Sequence, residues 1–518
     1  MHLETELKFV GDEDVISLLR QSKVLQDMAG NRRARTVAQH AVYFDTQDQA
    51  LRDAGYILRV RNEGDSYSQT LKRTFSDDVA TRPEFKSEVS TCAPETDSIP
   101  DSKTRWKVSQ LLKGRALGPV FEITTKRTKL LLSPKRGVEI EAAFDAGTLS
   151  LCGDDKQTFI PINEFELELL KGSVEDLFAS ARRLTADLPL TLCLAAKAER
   201  GFALLLNATY SPARAQTICL PAGALADDAI AVILGSCLQQ FLGNWRTVIT
   251  TNDVEGVHQM RVALRRFRSA ISLLDERQQA LIKNQIEAAR RFANVLGDAR
   301  DHDVLLTDII QPVVEGFGNK MEVKVLTDAI VAMRTKSWSK LLDSLRSEEF
   351  RSFVLDWAAV TYRRPWLAVS GPDNALALDA YGFAKKQISH RAHQIAKIAL
   401  RADDLDYRQL HDLRIRLKKL RYTIEFFGSV LSKKMAKRFA RRLTKLQLLL
   451  GDMNDISTAR NLIHRILLDA KSTEISEDLA FCGGLVVGWH ARRLSESRSA
   501  IRKQLKKISN AKVLVKDL

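Results

Sequence analysis

Apolar and polar positions alternate in short runs over the first two hundred residues, and from about residue 222 they recur at helical spacing instead. Eight segments carry the two-residue period of a strand with one buried face: ETELKFV, AVYFDT, YILRVRNEG, SYSQTLKRT, PEFKSEVS, FEITTKRTKLLL, VEIEAAFDAG and INEFELELL. Gly, Asn and Asp separate them, as in NEGD and SPKRG. Two segments read as helices, DEDVISLLRQS near the start and SVEDLFASARRLTAD after the last strand. In the second, Ser173 precedes Asp176 by three residues, the spacing of a capping box. A succession of strands with few helices predicts a barrel or sandwich rather than a βαβ sheet.

In the second half, DAIAVILGSCLQQFLGNWRTVI, HQMRVALRRFRSAISLLD and KKMAKRFARRLTKLQLLLGD have helical period, and NATYSPARAQTICLPAG reads as a linker. The expected organisation is a strand-rich domain over 1–205, a linker over 206–221 and an all-α domain over 222–510. The helical half repeats itself. HQMRVALRRFRSAISLL from His258 returns as HDLRIRLKKLRYTIEFF from His411, and LGDARD from Leu296 returns as LGDMND from Leu450. Two motifs in the same order at offsets of 153 and 154 residues indicate a tandem duplication. A unit this long predicts two related helical bundles, about 222–370 and 376–510, rather than a solenoid.

Composition narrows the setting. The chain has 518 residues and 45% hydrophobic content, enough for more than one packed core. Its net charge is +15, and the excess is confined to one half: residues 1–210 hold 29 Lys+Arg against 31 Asp+Glu, leaving 50 against 33 for the remainder. A basic second half attracts polyanions, with nucleic acid, anionic membrane and polyphosphate all open on charge alone. The six cysteines show no CxxC spacing, and no window approaches the ~20 apolar residues of a membrane span. With no secretory pattern at the N-terminus, the expectation is a soluble cytoplasmic protein with reduced thiols and no membrane insertion.

The polar faces of the strands are not mixed. Glu4, Glu6 and Lys8 share one face of the first strand; Arg59 and Arg61, Lys72, Arg82 with Glu84, and Arg127 follow on later ones. Glu139 and Glu141 alternate with Asp145 beyond, and Glu164, Glu166 and Glu168 alternate in NEFELELL. Segregated like charges on strand after strand predict a polar lumen rather than solvated faces. Basic side chains there can surround a highly charged anion while grouped carboxylates hold hard divalent cations through oxygen. Since carboxylates repel phosphate, the two together imply a metal bridge, the arrangement of phosphoryl transfer. No Walker loop, GxSxG or HExxH occurs, and the first half holds only His2 and His40.

ETELK resembles the ExExK signature of the CYTH superfamily, the triphosphate tunnel metalloenzymes. The ordered set YFDT, LRVR, TLK, RPE, EAAFDAG, ELE and KAERG is similar to that family's succession of strands over about residues 1–205. The resemblance implies an eight-stranded antiparallel β-tunnel and metal-dependent hydrolysis or cyclisation of triphosphates with Mg²⁺ or Mn²⁺, two ions per tunnel. It implies that Glu4, Glu6 and Lys8 are catalytic, the two acids binding metal and the lysine touching phosphate. Arg59, Arg61, Lys72, Arg82, Arg127, Lys197 and Arg200 would hold the triphosphate, and Glu84, Glu141, Asp145, Glu164, Glu166 and Glu168 would complete the metal ligands. Lys86 departs from the pattern, standing where many members carry a second acid after RxE.

On a helix with ~100° per residue, His258, Arg261, Arg265 and Arg268 fall on one stripe, and His411, Arg414, Lys418 and Arg421 repeat its spacing. A cationic stripe can be a solvated face, but its duplication behind a histidine favours anion binding. Asp298, Asp301, Asp452 and Asp455 of the LGDxxD motifs either orient these bases or cap helix ends. His302, His390, His393, His464 and His490 have no comparable setting and are expected to be structural. These motifs resemble the CHAD domain over about 222–510, which implies two pseudo-symmetric four-helix bundles binding inorganic polyphosphate. Nucleic acid is disfavoured, because no aromatic stacking platform accompanies the stripes.

The expectation is therefore a metal-dependent inorganic triphosphatase that converts tripolyphosphate to pyrophosphate and phosphate, with a polyphosphate-binding helical half and an association with polyphosphate granules. Thiamine triphosphatase, nucleoside triphosphatase and class IV adenylate cyclase are the alternatives within the enzyme class. A non-catalytic polyphosphate-binding scaffold is the alternative outside it.

Overall fold

The computed structural model describes residues 5–64, 66–73, 84–153, 158–208, 210–221, 223–317, 323–369, 375–469 and 476–508, with the side chains of 433–442 and of Phe317, Asp469, Ser476 and Ile508 set aside. Glu4 and Arg82 lie outside the described residues. The chain divides into two compact units, one of residues 1–211 with 346–363, the other of 212–345 with 364–518.

The first unit is built on nine strands: β1 (Glu6–Val10), β2 (Arg35–Asp45), β3 (Tyr56–Glu63), β4 (Ser66–Arg73), β5 (Glu84–Val89), β6 (Gly118–Leu132), β7 (Glu139–Leu151), β8 (Phe159–Lys171) and β9 (Thr191–Leu192). All described pairings are antiparallel, in the order β5-β4-β3-β2-β6-β7-β8-β1-β9. The eight alternating runs each form a strand. The expected closed eight-stranded tunnel is corrected in two respects: among the described residues there is a ninth strand, and no pairing closes the ladder. Thr191 and Leu192 pair with Val10 and Phe9, so β9 takes up backbone groups of β1 that closure against β5 would need.

The strands turn their apolar faces outward under helices and their charged faces inward. On β1, Leu7 and Phe9 are buried; Phe9 meets Phe165 at 6.0 Å and Phe165 meets Phe144 at 5.0 Å. Helix α1 (Glu13–Gln21) lays the Arg20 guanidinium over the Phe144 ring. Helix α2 (Ser102–Leu112) packs Val108 and Leu112 onto Leu58, Val60 and Leu71. Helix α3 (Val174–Thr185) starts in the capping box its sequence announced, with Ser173 Oγ accepting from the Asp176 amide and the Asp176 carboxylate accepting from the Ser173 amide. Helix α4 (Lys197–Leu205) follows, its Gly201 lying against the Phe121 ring so closely that a Cβ there would come within 2.2 Å of it.

The second unit is helical throughout: α5 (Ala226–Thr251), α6 (Val254–Ile271), α7 (Lys283–Val304) and α8 (Lys324–Arg346) from the first repeat, and α10 (Ala380–Ala399), α11 (Tyr407–Phe426), α12 (Lys433–Asp469) and α13 (Ser476–Ile508) from the second. The repeats share packing, since Leu305, Ile309 and Leu326 lie in one apolar cluster with Ile456, Leu462 and Val486. Helix α9 (Glu348–Arg363), between the repeats in sequence, belongs to the strand unit.

Candidate active site

The inward faces of the strands line a cavity of about 300 Å³. Register explains why its charges gather. Glu6 of β1 stands opposite Glu168 of β8, which stands opposite Glu141 of β7, so three carboxylates lie in one row across neighbouring strands. Two residues further in, Lys8 opposes Glu166; beyond that Glu164 opposes Asp145, which opposes Arg127 of β6. Like charges placed side by side in a sheet are destabilising unless a cation lies between them.

The inner row has such cations from the chain itself. Glu164 is 0% exposed, Asp145 1% and Glu166 8%, and one oxygen from each falls within 4.8 Å of the others. Lys197 Nζ sits among them, 2.8 Å from Asp145 Oδ2, 2.8 Å from Glu164 Oε2 and 2.7 Å from Glu166 Oε1. Arg127 donates to Asp145 through Nε and Nη2, both at 2.7 Å, and Nη2 also reaches Glu166. Arg200 Nη1 meets Glu164 Oε1 at 2.7 Å, while Lys8 stands 3.7 Å from Glu166 and 4.0 Å from Glu164. Burial alone would raise the Glu166 carboxyl, but Lys197, Arg127 and Lys8 overcome it and hold the group well below its usual range. The same contest leaves Glu164 and Asp145 lowered. It leaves Lys197 and Arg127 raised against their own desolvation.

Across the lumen the balance reverses. Arg59 and Arg61 project from β3; the Arg59 Nε is sealed from solvent with no hydrogen-bond partner among the described residues. Arg61 is pushed down to about 10, first by Arg59 and then by burial. Lys72 of β4 pairs with Glu84 of β5, and Lys86 lies 3.6 Å from Glu84 but largely in solvent. Lys129 takes up Glu141 at 2.8 Å. Arg59 and Arg61 thus give this wall excess positive charge, with Arg61 Nη1 donating to Glu63 Oε1 at 3.3 Å, opposite the clustered carboxylates.

In the helical unit the two stripes converge. Burial first, then Arg265 and Arg414, push the Lys418 ammonium down to about 6. Burial with Arg265 and Arg300 nearby pushes His258 to about 4. Arg265 is lowered by burial and also repelled by Arg261 and Arg421, so residues of both repeats feel one another. The Nε atoms of Arg265 and Arg414 are buried without a hydrogen-bond partner among the described residues, whereas Arg421 Nε lies 3.2 Å from Glu425 Oε1. Arg261 donates to Gly297 O at 2.8 Å and Asp301 Oδ1 at 3.0 Å, and His411 Nδ1 meets Asn454 Oδ1 at 3.0 Å. Arg268 is surface-exposed, lowered by partial burial and then by Arg290 of α7, and its charge is felt at Lys419 of α11. The LGDxxD motifs lie inside α7 and α12 rather than at helix ends, so the aspartates do not cap: Asp301 pairs with Arg261 and Asp452 with Arg493. His302 and His490 are buried against backbone carbonyls, as structural residues are.

Comparison with known proteins agrees with these two units. The chain carries a CYTH domain, whose model matches residues 2–202, and a CHAD domain, whose model matches residues 232–464. Over 553 aligned positions it is 27% identical to an uncharacterized protein of Mycobacterium tuberculosis (strain CDC 1551 / Oshkosh), covering 98% of this chain and 97% of that one. It is 30% identical over 164 residues to the inorganic triphosphatase of Haemophilus influenzae, covering 31% of this chain and 44% of that protein. Among solved structures, the CHAD domain from the plant Ricinus communis is 27% identical with a TM-score of 0.49, covering 57% of this chain and 96% of that one. A CYTH domain with a triphosphatase relative supports a triphosphatase or cyclase-like activity. No helix among the described residues is long and apolar enough to cross a membrane.

Of the tunnel residues named from the sequence, Glu4 and Arg82 lie outside the described residues, Glu164 and Arg200 are not on the cavity wall, and the others line it. The sequence did not mark Gln39, Tyr43, Thr125 or Lys129 of the strands as lining residues, nor Ala358 and Tyr362, which come from α9. Their amphipathic helix announces burial but not the surface it is buried against.

Proposed function

We propose that the strand unit is a metal-dependent inorganic triphosphatase that cleaves tripolyphosphate to pyrophosphate and phosphate. The observation that carries this is the division of one small lumen between a three-carboxylate cluster and the facing Arg59–Arg61 pair. A lumen of about 300 Å³ sits at the lower end of the ~300–1,000 Å³ typical of ligand pockets, which favours a bare phosphate chain over a nucleotide or thiamine ester. The residues fit a divalent cation: they are hard oxygen donors, and the Lys197 ammonium stands in for such an ion among Asp145, Glu164 and Glu166. Glu6, Glu141 and Glu168 form a second carboxylate group, with Glu84 further round the wall. Bound cations would neutralise phosphate charge and lower the pKa of water.

The chain's own part is binding and orientation. Arg59, Arg61 and Lys72 hold the terminal phosphate oxygens, and Lys8, Arg127, Lys197 and Arg200 fix the inner carboxylates and take the charge growing on the bridging oxygen. Glu4 is assigned to the metal and Arg82 to the phosphate chain by the resemblance alone. The test is phosphate release from tripolyphosphate, ATP and thiamine triphosphate by the full-length protein, with metal or with EDTA. Preferred turnover of tripolyphosphate, lost in EDTA and in Glu6→Ala, is expected; turnover of none of the three would leave the scaffold reading.

The helical unit is proposed to bind inorganic polyphosphate along the seam of His258, Arg261, Arg265, His411, Arg414, Lys418 and Arg421, with Arg268 a peripheral contact. Two buried guanidinium nitrogens with no hydrogen-bond partner among the described residues, the Nε atoms of Arg265 and Arg414, support an anion-binding seam rather than a solvated face.

A further inference from the structure

The strand ladder ends at β5 on one side and β9 on the other, and an open edge has to be covered by something. Helix α9 packs beside that edge, against α3 and β9. Tyr362 meets Phe178 at 5.7 Å, Arg363 lies 3.7 Å from Glu175, and Asp356 pairs with Arg182. Phe353 and Trp357 are buried on its other side, so its rotation about its own axis is set by packing. Ala358 and Tyr362, one turn apart on a single face, therefore reach the lumen that Lys8, Glu166 and Lys197 line. Neither lies in the CYTH match, which ends at residue 202; both come from within the CHAD match.

We propose that Tyr362, on the small floor left by Ala358, is a specificity-determining residue of the triphosphate site, an inference that rests on the triphosphatase reading above. A bare phosphate chain is held by guanidinium, ammonium and metal and has no apolar surface to offer a phenol ring. The phenol hydroxyl can donate to a phosphate oxygen, but the ring face can meet only an organic substituent, and in a lumen of about 300 Å³ the ring occupies space that substituent needs. Tyr362 thus acts by exclusion. It narrows the substrate class to unsubstituted short phosphate chains and ties that selectivity to a helix far from the tunnel strands in sequence.

The experiment uses full-length protein and compares kcat/KM for ATP and for tripolyphosphate with Mg²⁺ in wild type, Tyr362→Ala, Tyr362→Leu and Tyr362→Phe. The ratio of ATP to tripolyphosphate turnover should rise about tenfold in Tyr362→Ala, less in Tyr362→Leu, and stay at the wild-type value in Tyr362→Phe, which keeps the ring. Leucine retains apolar contact with Phe178, so it supplies the answer if the alanine variant does not fold. An unchanged ratio in the shortened variants, or a fall showing that the ring stacks on a base, would overturn this inference while leaving the triphosphatase reading intact. A wild-type protein that releases phosphate from neither substrate would overturn both.

Discussion

Replacing Lys197 by methionine probes the inner carboxylate row directly. The ammonium lies at 2.7–2.8 Å from three carboxylates, and its side chain is only 15% exposed. Methionine keeps the length of the side chain and removes the charge. Asp145, Glu164 and Glu166 then have Arg127, Arg200 and Lys8 but no central cation, a buried arrangement broken on one side. Such losses cost about 3–5 kcal/mol, and for a unit of this size each kcal/mol lowers Tm by ~2–4 °C, so a drop of roughly 6–20 °C is expected for the strand unit. The vacated cluster should also bind divalent cations more readily. Mg²⁺ or Mn²⁺ at one hundred times its Kd would restore about 2.7 kcal/mol. Calorimetry of Lys197→Met and wild type, with and without the ion, reads both effects. A variant that melts with wild type, or whose Tm responds to the ion no more than wild type does, would refute the account of this cluster.

Gly201→Ala should destabilise the strand unit by about 1–3 kcal/mol, since the new methyl would lie 2.2 Å from Phe121; chemical denaturation measures it. Displacement of α4 would also carry Lys197 and Arg200 out of place, so tripolyphosphate turnover should fall with stability. Arg414→Ala should weaken polyphosphate binding and flatten its dependence on salt, read by titration from low to high ionic strength, without altering phosphate release by the tunnel. Because burial and like-charged neighbours hold Lys418 down to about 6, the free protein leaves it mostly neutral above that pH, and a bound polyanion pulls its pKa back up. Polyphosphate affinity should therefore decline as pH rises from 6 toward 9, by at most about tenfold per unit, and Lys418→Met should lose most of that slope. The unliganded protein shows the opposite sign: its unfolded state holds the Lys418 proton up to 10.5, so this residue's contribution to stability grows with pH across the same window.

Much of the strand unit was legible because charge and period spoke together. Glu164, Glu166 and Glu168 alternate with Phe165 and Leu167, and the buried phenylalanine faces outward while Glu166 and Glu168 line the lumen and Glu164 is fully buried. The Ser173–Asp176 capping box formed as written. β9 was not legible, since two residues are too few to carry a period, and with it went the fact that the sheet stays open. The helix at Ser102–Leu112 was hidden by its exposed Trp106 and weak apolar stripe, although Asp101 was there to cap it. Lys197 and Arg200 could be named only by resemblance: Lys197 enters the lumen from a helix and Arg200 on the same helix holds Glu164, so no strand alternation marks them. In the helical unit the duplicated stripe was plain, but its two copies lie 153 residues apart in sequence and only tertiary structure brings Arg265 to Lys418.

The central claim is that the two opposed charge fields in the strand unit exist to cleave a phosphoanhydride. The most direct measurement is phosphate release from tripolyphosphate by the full-length protein, with Mg²⁺ or Mn²⁺, after EDTA, and in Glu166→Gln. Turnover that requires the ion and is lost in the variant, while polyphosphate binding persists, is the predicted result. A folded, ion-loaded protein that binds tripolyphosphate and never releases phosphate would contradict it.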